Sequence, residues 1–541
     1  MPTGSENMSI ANGIAFLVIG AYLLMLLVLG WVGHRVSSPG EEDYYLAGRQ
    51  QGWLISTLTI MATFLSSFAL LGAPGMVYRE GVVFALVSLN IPVAGFCIFI
   101  LGSRIWRAGR DRGFITPADM ICFHYGESNL LRLLVALTGL LFVIPYVMMQ
   151  IKAGGDLAAV LFRDKPHAYE MGAIILALIT AAYIMIGGMR SVAWTDAVQC
   201  ILLLGGMLLA GIAMTVAMGG PIIFAERVAK LPASSLTIPG NTGLWSLPFL
   251  FSVCMLMPIG GIIQPAQWMR FYSASGPPAL RRSALIFIFV LTSCFLFGIM
   301  PVGLGGQVQY PLQFENGTVQ PAPEVGVFDQ ILVVLAREQL PILFGNTAGL
   351  AIATLLIVAT MAASMSTADS NLHALSAIMT RDIYSRMIRT SAGVTERLWV
   401  GRFTVLLATL LSLYVVIKGS QPESSLAGFM QMIVGLALFA VAFSVQLLPI
   451  TVDILYLKWG TKTGAVVGLA LGLLFAFAFT SLFPMVIGGD SVLIGFVNQA
   501  KSILPVHAAA WGLAANVTGF AIVTSFQRSF RRSYVSTDNR I

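Results

Sequence analysis

Apolar residues run along this chain in stretches of about twenty, with charges and turn residues gathered between them. A helix needs about 20 apolar residues to cross the hydrocarbon core of a bilayer. On that rule thirteen stretches predict spanning helices: 13–33, 52–77, 82–103, 130–151, 168–187, 196–218, 243–265, 283–306, 345–377, 398–417, 424–448, 462–484 and 508–526. The fourth is expected to run on toward Phe162, and the ninth is long enough to require tilt or a break. The segment 307–344 carries Pro311, Pro321 and Pro323 and reads as an external loop.

Two of the stretches are interrupted. The second carries Ser66, Ser67, Gly72, Pro74 and Gly75 inside its apolar run, and the seventh carries Pro258, Gly260, Gly261 and Pro265. Proline removes a helix donor and clashes with the preceding turn. In lipid, freed backbone groups survive only where protein buries them or a cavity is lined by them. The two interruptions lie five spans apart. Broken helices at matching positions of two five-helix sets point to an inverted-repeat transporter with its binding site between the breaks, near mid-membrane.

Composition narrows the classes further. Hydrophobic residues make up 57% of the 541 and charged residues 10%, with a mean hydropathy of +0.85. Soluble globular proteins carry about 25% charge, so soluble enzymes, disordered chains and nucleic-acid binders are excluded. The net charge is +7. Placing the N-terminus outside puts twenty of the 31 lysines and arginines, Arg270 among them, in inside segments and nine in outside segments. That asymmetry predicts an N-out, C-in chain. Cys97, Cys122, Cys200, Cys254 and Cys294 show no metal-ligand spacing and read as small core residues. There is no His-x-x-His cluster, no GxSxG elbow and no cofactor motif, so neither an enzyme nor an organic cofactor is expected.

Acidic residues fall almost entirely in loops or at helix ends, with two more interior ones. Asp196 opens the sixth span after a Gly-Gly turn, where it either caps a helix or serves an ion path; Asp369 stands deep in the ninth. Ser364, Ser366, Thr367, Ser370 and Asn371 surround Asp369, and positions 363, 366, 367 and 370 share one helical face. Hydroxyl and carbonyl oxygens are hard ligands suited to Na⁺. Asp382 reads as a cytoplasmic end residue.

With these residues in place, the chain resembles the sodium:solute symporter family, which includes sodium-coupled sugar, proline, pantothenate, sialate and monocarboxylate carriers. The resemblance is carried by ATFLSS…GAPG…YREG in the second span, GG…WTD…Q at 187–199, QP…RF at 264–271, AASMSTADS…RDIY at 362–384 and KWGTKTGAVVG at 458–468. It implies an all-α integral membrane protein with a LeuT-like five-plus-five inverted repeat. The repeats would be 52–218 and 243–448, with 13–33, 462–484 and 508–526 peripheral, all in one transporter domain of the inner (plasma) membrane that could form a homo-oligomer.

The resemblance also implies a Na⁺ site made by backbone carbonyls of Ala62, Leu65 and Ala363 with the hydroxyls of Ser366 and Thr367. A second cation site would use Asp196, Ser366, Asp369 and Ser370. Asp369 stands where relatives more usually have serine, so that site would take either Na⁺ or a proton shared between two carboxylates. Solute contacts would come from Thr63, Phe64, Ser66, Ser67, Phe68, Asn90, Gln264, Gln267 and Gln431. Lys152 matches an arginine that holds a carboxylate in sialate-carrying relatives; a snorkelling lysine or an ion pair with Asp156 is the alternative. The expected activity is sodium-coupled import of a small organic anion, foremost a monocarboxylate. A neutral sugar or zwitterionic amino acid is the alternative solute, and a transporter-like sensor with a separate signalling partner the alternative class.

Overall fold

The computed structural model describes residues 4–38, 40–162, 165–315, 317–430, 432–488 and 491–538. Its principal helices follow the apolar stretches. They are α1 (Gly4–Val36), α2 (Trp53–Phe64), α3 (Phe68–Glu80), α4 (Val82–Arg112), α5 (Asn129–Leu161), α6 (Ala168–Met185) and α7 (Gly187–Ala217). After them come α8 (Leu247–Ile263), α9 (Pro265–Ser273), α10 (Pro277–Gln309), α11 (Asn346–Ile388), α12 (Val394–Gly419), α13 (Ile433–Leu457), α14 (Lys462–Ala478) and α15 (Ala508–Asp538). Among the described residues nine helices are long and apolar enough to cross a membrane, or eleven when each of two bent pairs is one span. Two shorter apolar helices, Leu17–Gly33 within α1 and α14, cover the remaining predicted stretches.

The bent pairs are the two interrupted stretches. α2 and α3 meet at 57° and α8 and α9 at 55°. At the first break Leu65 is extended (φ −84°, ψ 118°), the Ser66 hydroxyl accepts the Phe68 N–H (3.1 Å), and the Gln150 side-chain carbonyl accepts the Ser67 N–H (3.1 Å). At the second, Gln264 is extended (φ −62°, ψ 153°) because Pro265 follows it, and its side-chain oxygen accepts the Ala266 N–H (2.7 Å). Side chains thus satisfy backbone donors that lipid could not.

Two expectations are corrected. The segment 307–344 is not simply a loop. It holds a small antiparallel pair, β1 (Gln313–Glu315) and β2 (Thr318–Gln320), and a helix over Ile331–Phe344 whose apolar run Ile331–Ala336 is buried. Packing of that apolar run outweighs the prolines around it. Asp196 also does not cap a helix: α7 starts at Gly187, more than two turns earlier. The chain turns between α6 and α7 at Gly188 (φ 63°), where a Cβ would lie 2.8 Å from the Tyr44 ring, so glycine is required there on both counts. Outside the core, large apolar side chains such as Phe289, Phe403 and Phe526 are exposed, as lipid contact demands.

Candidate functional site

α11 passes behind the first break with its residues 362–377 buried. Thr367 Oγ1 lies 3.1 Å from the Ala62 carbonyl and 2.9 Å from the Leu65 carbonyl. Ser366 Oγ lies 3.3 Å from the Ala62 carbonyl and 3.2 Å from its own helix's Ala363 carbonyl. All five oxygens expected at the first cation site therefore converge. They do so because α2 stops at Phe64, leaving carbonyls of its last turn without intrahelical donors. Two hydroxyl protons serve three carbonyls, so the cradle has more oxygen lone pairs than protons. It holds no charged side chain.

A second cluster lies one turn along α11. Asp196 (α7), Asp369 (α11) and Arg270 (α9) are all buried there. Arg270 Nη2 donates to Asp196 Oδ2 (2.9 Å) and to Ser370 Oγ, while its Nε donates to Thr59 Oγ1 (3.0 Å). Thr59 Oγ1 donates to Asp196 Oδ2, and Tyr183 OH donates to Asp369 Oδ2 (2.8 Å). Among the described residues Asp196 Oδ1 has no hydrogen-bond partner. Of the four residues expected at a second cation site, Asp196, Asp369 and Ser370 meet here. Ser366 turns its hydroxyl to the cradle and gives only its carbonyl, which accepts from Ser370 Oγ (2.6 Å).

Arg270, expected in an inside segment, is instead buried within the broken span, with a relative exposure of 1%. α9 is buried from Pro265 to Ser273 because it is the second half of a broken span, not a loop. The available signal was the short distance from Pro265 to Arg270. Asp382 is also buried, paired with Arg132 (2.8 Å) and accepting from Thr116 Oγ1 (3.0 Å).

Between the breaks a cavity is lined by Phe64, Leu65, Phe68, Asn90, Tyr146, Met257, Gly261, Phe295 and Val441. Phe64, Phe68 and Asn90 were expected; Tyr146, Met257 and Phe295 were missed because apolar residues in apolar spans carry no sequence signal of function. None of the lining side chains is charged. The other expected contacts have separate duties. Thr63 Oγ1 donates to the Thr59 carbonyl (2.7 Å) at the edge of the charged cluster. Ser66 and Ser67 stand at the break, Gln264 caps α9, and Gln267 Nε2 donates to the Ile60 carbonyl (3.0 Å). Gln431 lies outside the described residues. Lys152 is buried in an ion pair with Asp156 (2.5 Å) and Asp329 (3.3 Å), and Asp329 also accepts the Ile433 N–H (2.9 Å). The ammonium thus ties α5 to the turn Phe328–Gln330 and to the start of α13.

Known proteins bear on this arrangement. The family model described as "Sodium:solute symporter family" matches residues 44–472. The sodium/proline symporter of Haemophilus influenzae is 26% identical over 86% of this chain and 87% of its own length. The high-affinity proline transporter of Bacillus subtilis is 27% identical over 83% and 88%. The sodium/pantothenate symporter of Haemophilus influenzae is 25% identical over 75% and 77%. A Na⁺-coupled sialic acid symporter, solved in a substrate-bound outward-open state, superposes with a TM-score of 0.71 at 17% identity, over 95% of this chain and 97% of that one.

Proposed function

The chain belongs to the sodium:solute symporter family, and from that premise we propose that it imports a small, net-neutral solute with an apolar body, an amino acid of proline's class, together with Na⁺. Membership makes it a multi-pass membrane protein with the LeuT-like fold, a sodium-coupled symporter of a small solute and a transporter rather than an enzyme. The proposed topology is thirteen spans, N-terminus outside, with five-helix repeats over 52–218 and 243–448.

One observation carries the choice of solute: the cavity between the two breaks has aromatic and aliphatic walls, one amide (Asn90), one phenol (Tyr146) and no charged side chain. A net anion in a low-dielectric site needs a counter-charge. A monocarboxylate would need a positive partner, for which the candidates are Lys152 and the N-terminus of α3. Lys152 is neutralised by Asp156 and Asp329, and the Ser67 and Phe68 N–H groups are taken by Gln150 and Ser66. A zwitterion brings its own compensation. Proline, the solute named for two of the relatives, is of this kind.

In this reading Na⁺ enters from outside and binds Ala62, Leu65, Ala363, Ser366 and Thr367. It bridges the broken span to α11, and this orders the unwound backbone that forms one wall of the cavity. The solute binds beside it and the two repeats rock to open the other face. At about 100 mV one charge contributes about 2.3 kcal/mol, and a tenfold Na⁺ gradient about 1.4. One Na⁺ then supports about 10²–10³-fold accumulation of a neutral solute.

The test is uptake into proteoliposomes, with and without a Na⁺ gradient, for apolar amino acids, monocarboxylates and sugars. Na⁺-dependent accumulation of an apolar amino acid, increased by an inside-negative potential, is expected. Accumulation of monocarboxylates alone would overturn the proposed solute class.

A further inference from the structure

The C-terminal half of α4 packs against the N-terminal half of α10. At Gly95 a Cβ would collide with Ile288, and at Gly102 it would lie 3.7 Å from Leu280. The two helices therefore reach the same face of the molecule side by side. There Arg104 and Arg107 of α4 and Arg281 and Arg282 of α10 are exposed. Phe96, Phe99, Leu285 and Phe289, about one to two turns further into the same helices, are exposed as well. We propose that this surface binds an anionic glycerophospholipid, its headgroup among the four guanidinium groups and its acyl chains along the four apolar side chains. The site is independent of the solute and of the coupling ion.

Charge complementarity names the occupant. Among the described residues none of the four arginines has an ion-pair partner, although Arg49, Arg190, Arg381, Arg389 and Arg397 each meet a carboxylate. α10 carries no Asp or Glu, and the one acid of α4, Asp111, forms no ion pair with Arg107 among the described residues. Gathered guanidinium groups without a counter-charge repel one another, so the compensating anion must come from outside the chain. A zwitterionic headgroup would bring an ammonium of its own into the same cluster and gain less. A phosphodiester suits arginine in particular, because the planar guanidinium pairs with two oxygens at once. In the proposed topology this face meets the inner leaflet, the side on which basic pockets between spanning helices take anionic headgroups.

Two of the arginines are held in position by the fold. Arg104 Nη1 donates to the Leu455 carbonyl (3.1 Å), and its guanidinium lies over the Tyr456 ring, 4.2 Å from the centroid. Arg281 lies over the Phe99 ring at 5.9 Å. That second contact joins the exposed faces of the two helices, since Phe99 belongs to α4 and Arg281 to α10. It also sets positive charge at the level where the apolar surface begins. Unneutralised charge above apolar surface, on one pair of helices, matches an amphiphile; a soluble anion matches only the upper half.

Native mass spectrometry of the full-length protein in detergent, titrated with phosphatidylglycerol or phosphatidylcholine of the same acyl chains, tests this. A basic residue beside a lipid headgroup is worth about fivefold in affinity. Phosphatidylglycerol should therefore bind at least about fivefold more tightly than phosphatidylcholine. The double variant Arg107→Gln with Arg282→Gln removes two exposed arginines that make no hydrogen bond or ion pair among the described residues, so the fold is spared. It should weaken phosphatidylglycerol by about twentyfold and leave phosphatidylcholine unchanged. Arg386→Gln, an exposed arginine near the end of α11, should leave both lipids unchanged. Equal affinity of the wild type for the two lipids would overturn the proposal. An equal loss in Arg386→Gln would also overturn it, by reducing the effect to general charge. Displacement of phosphatidylglycerol by inorganic phosphate at equal concentration would overturn it too, by making the cluster a site for a soluble anion. Should the double variant fail to express, Arg107→Gln alone should lose about fivefold, and no loss there would equally refute the site.

Discussion

Two places one helical turn apart on α11 treat positive charge in opposite ways. At Ser366 and Thr367 five neutral oxygens face one another with no ionised group among them. At Asp369 and Ser370 two carboxylates are buried and the chain has brought its own cation, Arg270, on the half-helix α9. The physics of vacating the two sites differs. Neutral dipoles can satisfy one another, hydroxyl to carbonyl, whether or not an ion lies between them. A carboxylate abandoned in a low-dielectric interior costs several kcal/mol. A cradle of dipoles therefore suits an ion that must come and go, and a carboxylate suits a cation tethered to the chain, as Arg270 is.

The largest effect should come from breaking the charged side of this comparison. Arg270→Ala leaves Asp196 without its partner and withdraws a donor from Ser370. Removing one member of a buried ion pair costs about 3–5 kcal/mol, read as a large fall in unfolding temperature of the detergent-solubilised protein. A second substitution, Asp196→Asn, should recover part of that loss by removing the stranded charge. A loss below about 1 kcal/mol for Arg270→Ala, the scale of an exposed pair, would mean that Asp196 is already neutral, and the two sites would no longer differ in kind.

Next in size is the neutral side. Thr367→Ala removes the hydroxyl with two contacts at or below 3.1 Å, to the Ala62 and Leu65 carbonyls. Losing one buried polar partner costs about 1–3 kcal/mol, so half-saturating Na⁺ should rise about fivefold or more. Sodium-dependent thermal stabilisation measures this directly. Arg270→Ala should shift the Na⁺ concentration dependence less than Thr367→Ala does once its lower starting stability is subtracted, since Arg270 reaches the cradle only through Ser370 and the Ser366 carbonyl. An equal shift in both variants would merge the two sites into one.

Much of this was legible in the sequence, and the reasons are specific. Spans are legible because lipid imposes length and apolarity together, and the breaks are legible because proline and glycine cannot be disguised in an apolar run. Ser366 and Thr367 stood out as hydroxyls clustered on one face of a buried helix. Arg270 did not, because a positive charge after Pro265 looks like the start of a cytoplasmic loop; only the fold shows that α9 continues inward. Lys152 was visible as an anomaly, but its partner Asp329 lies 177 positions away in what read as a loop. The aromatic walls Tyr146 and Phe295 have no signature at all, since a cavity is a property of packing rather than of any residue type.

The smallest effect lies within the cradle itself. Ser366 Oγ approaches its two carbonyls at 3.3 and 3.2 Å, against 3.1 and 2.9 Å for Thr367. Longer contacts mean a weaker hold on the same oxygens, so Ser366→Ala should raise half-saturating Na⁺ by about threefold, near 0.6 kcal/mol, the low end of a net hydrogen bond. Thr367→Ser, which keeps the hydroxyl and drops only a methyl, should stay closer to wild type than Ser366→Ala does. The order Thr367→Ala, Ser366→Ala, Thr367→Ser, read from the same titration, depends on which oxygens touch the ion and not on helix packing. A reversed order, with Thr367→Ser worse than Ser366→Ala, would show that the threonine methyl matters more than its oxygen. The cradle would then be a packing contact between α2 and α11 instead of a place for sodium.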